Sequence, residues 1–125
     1  MSRTRNLTAA FALGRLAFGA GLIASPEKVA SGWLGADAQR GPVRIAVRGL
    51  GARDIALSAG ALATLRDTDA LRLWLAGGVL SDLCDVLATL VTPGGVLPGN
   101  ARWGTVALGG GSALAGAALI AAIDR

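Results

Sequence analysis

The chain has no histidine and no tyrosine, and its single cysteine is Cys84. Without histidine there is no Ser-His-Asp triad, no imidazole-ligated metal and no imidazole proton shuttle. One cysteine excludes an internal disulfide and any multi-cysteine metal site, so neither a metal nor a cofactor is expected. Aromatic residues are nearly missing as well, with three Trp and two Phe in 125 residues. Charged residues make up only 16% of the chain, and the net charge of +4 is scattered along it. No basic face forms, which argues against nucleic acid as a partner.

What fills the chain instead is apolar. Hydrophobic residues account for 53% of it, and 19 glycines are added to them. Together they far exceed the roughly 45–50% apolar-plus-glycine content usual for a soluble domain. Too little polar surface is left to wrap a soluble globule, although a soluble all-helical bundle is the alternative.

Four runs are long enough to cross about 30 Å of hydrocarbon. They cover residues 7–24, 43–65, 71–91 and 104–123. Ser25 and Pro26 close the first, Gly41 and Pro42 open the second, and Thr92, Pro93, Gly94 and Gly95 end the third. Each run is about twice strand length and lacks period-two alternation, so each reads as a helix. The expected fold is therefore all-α: a four-transmembrane-helix bundle in one domain, residues 1–125. With Arg3 and Arg5 before it, span one could alternatively be a secretory signal peptide. Arg15 inside its apolar stretch argues against that.

Between spans one and two, Ser25 as cap, Pro26 in the first turn and Glu27 at the positive helix end predict a short interfacial helix. Val29, Ala30, Trp33 and Leu34 form its apolar side. Trp74 and Trp103, at the starts of spans three and four, suit the headgroup level. A Ser-Pro pair follows span one and a Thr-Pro pair follows span three, with a valine three residues after each proline. This hint of a duplicated hairpin reads as coincidence. Counting basic residues puts Arg3, Arg5, Arg66, Arg72 and Arg125 on the side of the termini and Lys28, Arg40, Arg44 and Arg102 on the other, a slight bias toward cytoplasmic termini.

The apolar runs are interrupted by charge. Arg15, Asp54 and Asp82 lie at or beside the midpoints of spans one, two and three, and so at one depth. Arg53 adjoins Asp54, Asp85 lies about 4.5 Å beyond Asp82, and Arg48 lies about 9 Å from its helix centre. A lone charge at mid-bilayer costs about 2.5–3.5 kcal/mol even on lenient scales, so six separate ones would cost roughly 15–20. Pairing is expected: Arg15 and Arg48 against Asp54, Asp82 and Asp85, with Arg53 the loosest member. Gly78, Asp82, Asp85 and Thr89 share one stripe of span three, from which Cys84 points away. Thr8, Phe11, Arg15, Gly19 and Leu22 form the matching stripe of span one, with Gly19 leaving room beside the guanidinium. In span four, Gly109, Ala113, Ala117 and Ala121 recur every four residues, a seam for packing inside the bundle or for homo-oligomerisation.

"GRLAFGAGLIASPE" in span one, "RGLGARDIALSAG" in span two and "SDLCD" in span three resemble small four-span bacterial membrane proteins of unknown function, DoxX-like in layout. The resemblance covers most of residues 14–90. It implies a four-helix membrane bundle and little about chemistry. The Ala-, Gly- and Arg-rich composition fits a high-GC bacterial genome, and hence a bacterial plasma membrane.

Three roles fit the charged layer: an ion-pair network that sets helix register in a structural or accessory subunit of a membrane assembly; a polar pocket for the head of an apolar lipid- or quinone-like ligand; and, in an oligomer, a proton-coupled transporter. As an enzyme the layer is poorly equipped. Asp82 and Asp85 could do acid and base work beside an arginine, but no His, Tyr or metal-ligand set assists them.

Overall fold

The structure, a computed structural model, describes residues 1–123; Arg125, one of the five orientation charges on the terminal side, lies outside them. The chain forms α1 (Arg3–Ala24), α2 (Pro26–Leu34), α3 (Gly41–Ala63), α4 (Thr68–Val91) and α5 (Ala101–Ala122). Short 3₁₀ turns at Gly35–Gln39 and Gly94–Val96 complete it, and the described residues include no strand. All four expected runs are helical, with boundaries shifted by a few residues. Three of these helices, α1, α4 and α5, are long and apolar enough to cross a membrane, not four. α3 has the length, but every 18-residue stretch of it includes Arg48, Arg53 and Asp54.

The interfacial segment is helical as expected, with Pro26 in its first turn. Ser25 occupies the cap position but its side chain makes no capping bond; its N–H continues α1 by donating to the Gly21 carbonyl. True side-chain caps sit elsewhere. The Ser2 hydroxyl accepts from the Arg5 N–H, and Asp67 accepts from the Ala70 N–H.

The four long helices form two antiparallel pairs, α1 with α3 and α4 with α5, joined by α3 against α4; α1 and α5 meet only slightly. Glycine sets the closeness of the first pair. A Cβ on Gly19 would lie 2.7 Å from the Gly51 carbonyl oxygen, and one on Gly51 would lie 2.6 Å from that of Gly19. Backbone therefore meets backbone, the arrangement that small residues allow between membrane helices. Gly109 and Gly116 receive Val86 and Val79 in the second pair, and Gly60 receives the Trp74 ring between α3 and α4.

Leu22, Val47, Leu71, Leu75 and Ile123 are buried in the core, but much of the remaining interior is small or polar and many large apolar side chains face outward. Ala12, Ala61, Ala113, Thr8, Ser58, Asp54 and Asp82 are buried, while Leu13, Ile45, Leu73, Leu80, Leu108 and Leu114 stand outside. The α5 seam divides accordingly. Gly109 packs on Val86 and Ala113 is buried, whereas Ala117 and Ala121 are exposed.

Each pair is closed by arginines in the same way. Arg48 of α3 donates to the Ile23 carbonyl at the end of α1, and Arg5 of α1 donates to the Leu65 carbonyl just past α3. In the second pair, Arg102 of α5 donates to Thr89, Leu90 and Thr92 carbonyls, and Arg72 of α4 to those of Ile120 and Ile123. The last carbonyls of a helix have no partner within it, and a cation there also suits the helix dipole. Arg5, Arg72 and Arg102 thus have structural work besides any part in orientation. The Ser-Pro and Thr-Pro steps fall at equivalent points, after α1 and after α4, in two pairs built alike.

Candidate functional site

Midway along the bundle, Arg15 of α1 reaches all three other long helices. Its Nη1 donates to Asp54 of α3 at 3.3 Å, and its Nη2 to Asp82 of α4 at 2.5 Å and to the Ser112 hydroxyl of α5 at 3.0 Å. The guanidinium also lies 5.8 Å from the Phe11 ring centroid, within cation–π range. All three charged side chains are nearly enclosed, with 11% exposure for Arg15, 6% for Asp54 and 10% for Asp82.

A second ion pair joins the first through Asp54. Arg53 grips Asp85 in bidentate fashion, at 3.3 and 2.8 Å, and its Nη2 lies 3.5 Å from Asp54. This part is more open, with 30% of the Arg53 side chain and 27% of Asp85 exposed. Charge therefore runs continuously from Asp82 through Arg15, Asp54 and Arg53 to Asp85.

The expected partners are redistributed. Arg15, Asp54, Asp82 and Asp85 meet as their depths suggest, but Arg48 is outside the network, since its Nε caps α1 at 3.1 Å from the Ile23 oxygen. Arg53 takes its place as a central member. Two guanidiniums thus face three carboxylates, so the network carries one formal negative charge in excess. Gly19 does not make room for Arg15, because it abuts Gly51 and Asp54; Gly78 does, a Cβ there lying 3.7 Å from the Arg15 Nη2. Ser112 went unrecognised in the sequence, although it is the one hydroxyl near the middle of an uncharged span.

The cluster encloses almost no space. The cavity beside Arg15, Asp82, Ser58 and Ser112 has a volume of about 20 Å³. That is sufficient for a single water, and far below the roughly 300–1,000 Å³ of small-molecule pockets. A larger hollow of about 310 Å³ lies beneath α2, walled by Trp33, Leu34, Val43, Val96 and Leu97. There the Trp33 indole donates to the Thr89 hydroxyl at 3.1 Å. Among the described residues no group of three His, Cys, Asp or Glu could hold a metal ion. No family model, curated protein or solved structure matches the chain.

Proposed function

We propose that this chain is a four-span protein of a bacterial plasma membrane, with cytoplasmic termini, and that its Arg/Asp cluster is a register lock. Its role is that of a structural or accessory subunit in a membrane assembly. The observation that carries this reading is Arg15, which holds one residue from each of the other long helices with room for no more than one water. A buried ionic junction need not add stability over an apolar core, but it selects one arrangement of helices. α3 fits as the fourth span because Asp54 is paired with both Arg15 and Arg53, and because Arg48 turns toward the end of α1.

Cysteine labelling tests the topology. In a Cys84→Ala background, Asp37→Cys and Asp67→Cys flank α3 and are expected to react with an impermeant maleimide from opposite sides of the membrane. Labelling from one side only would remove α3 as a span. The hollow beneath α2 favours a second reading, an apolar lipid- or quinone-like ligand held there instead of at the cluster. Mass spectrometry of the purified protein decides between them: a stoichiometric lipid or quinone, lost on Val43→Trp, would support the ligand, and its absence the structural role.

A further inference from the structure

One part of the charge network is left open at mid-depth. Arg53 and Asp85 are roughly a third exposed, on the outer side of the α3–α4 groove, where hydrocarbon is the worst surrounding for an ion pair. The α3 surface beside them is built largely of small residues. Gly49, Ala52, Ala56 and Ala59 form the outward face of α3 at this depth, with Ile45 in the same row toward the start of the helix. Flat backbone and an uncovered ion pair thus coincide on one face.

Resting on the four-span reading, we infer that a second copy of this chain packs against the α3–α4 face and covers Arg53 and Asp85. The argument for a copy is charge complementarity. Two chains inserted in the same direction form a closed dimer about a twofold axis along the membrane normal. Such an axis near the groove sets Arg53 of each copy opposite Asp85 of the other, so the four charges alternate in sign. The interface is self-complementary, as isologous contacts must be. The small residues of α3 allow the two backbones to approach closely enough for those charges to meet. On α5, Gly109 and Ala113 are taken up inside the bundle, and the small residues it exposes, Gly104, Ala107, Gly111 and Ala118, have no ion pair of the described residues beside them for a copy to cover.

Disulfide trapping in native membranes tests this with the full chain. In the Cys84→Ala background, Ala56→Cys places a thiol one turn from Arg53, and Leu114→Cys places one on the outer side of α5. Oxidation is expected to convert the Ala56→Cys chain to a covalent dimer of twice its mass and to leave Leu114→Cys monomeric. Adding Ala52→Trp, an exposed substitution that leaves the bundle interior untouched, is expected to abolish that dimer. Exclusive trapping through Leu114→Cys, a monomer in both cases, or a crosslink from Ala56→Cys to a different protein would each overturn the inference. Failure of the four-span reading is seen separately, as one-sided labelling of Asp37→Cys and Asp67→Cys.

Discussion

Replacing Arg15 by methionine keeps most of its stem and removes its charge. Asp54 then retains Arg53 at 3.5 Å, but Asp82, only 10% exposed, loses the guanidinium that held it at 2.5 Å. One stranded carboxylate is therefore the dominant loss. Removing one partner of a buried pair costs about 3–5 kcal/mol, which lowers the folded-to-unfolded ratio by about two to three and a half powers of ten. The assay is equilibrium unfolding in mixed micelles, titrated with SDS. Asp82→Leu alone should cost a similar amount, because Arg15 keeps only a long contact to Asp54 and the uncharged Ser112 hydroxyl. The Arg15→Met/Asp82→Leu double variant puts two apolar side chains where the pair stood, and should lose at least about 2 kcal/mol less than the sum of the single losses. Additivity within about 0.5 kcal/mol would refute direct pairing.

The glycine contact should be equally specific. Gly19→Ala or Gly51→Ala drives a methyl into opposing backbone and is expected to destabilise the same transition by about 1–3 kcal/mol. Gly14→Ala, with open space around it, should instead stabilise by up to about 1 kcal/mol through helix propensity. Arg72→Met strips the carbonyls of Ile120 and Ile123, and should raise hydrogen exchange in the last turn of α5 with a loss of about 1–2 kcal/mol. Arg48→Gln should cost less than Arg53→Gln in SDS titration, since only the latter strands Asp85; the reverse order would restore Arg48 to the cluster.

Helix length and position were legible because hydrophobic runs and Pro-Gly punctuation are local properties. Depth was legible too: counting from span ends brings Arg15, Asp54 and Asp82 to one level without knowledge of packing. Rotation was not. Whether Arg48 or Arg53 turns toward α4 depends on how α3 is set about its axis, and that setting is fixed by Gly51 meeting Gly19 on another helix. The same ignorance made a four-residue seam of Gly109, Ala113, Ala117 and Ala121. At about 100° per residue such a row drifts around the helix, and the face that packs inward follows Gly109, Ala113 and Gly116. Sequence alone offers Arg5, Arg72 and Arg102 only as orientation charges and Arg48 as a member of the cluster, because the acceptors of all four are backbone carbonyls, which carry no side-chain signature.

Sequence separation gives the network an order in time. Arg102 finds the end of α4 within 13 residues, and Arg48 finds the end of α1 across 25. Arg15 reaches Asp54 after 39 residues and Asp82 after 67, but Ser112 only after 97. A chain made from its N-terminus inward can therefore close the first helix pair early, while the guanidinium at its centre stays incompletely bonded until α5 has been synthesised. Only the finished bundle gives Arg15 its full set of partners.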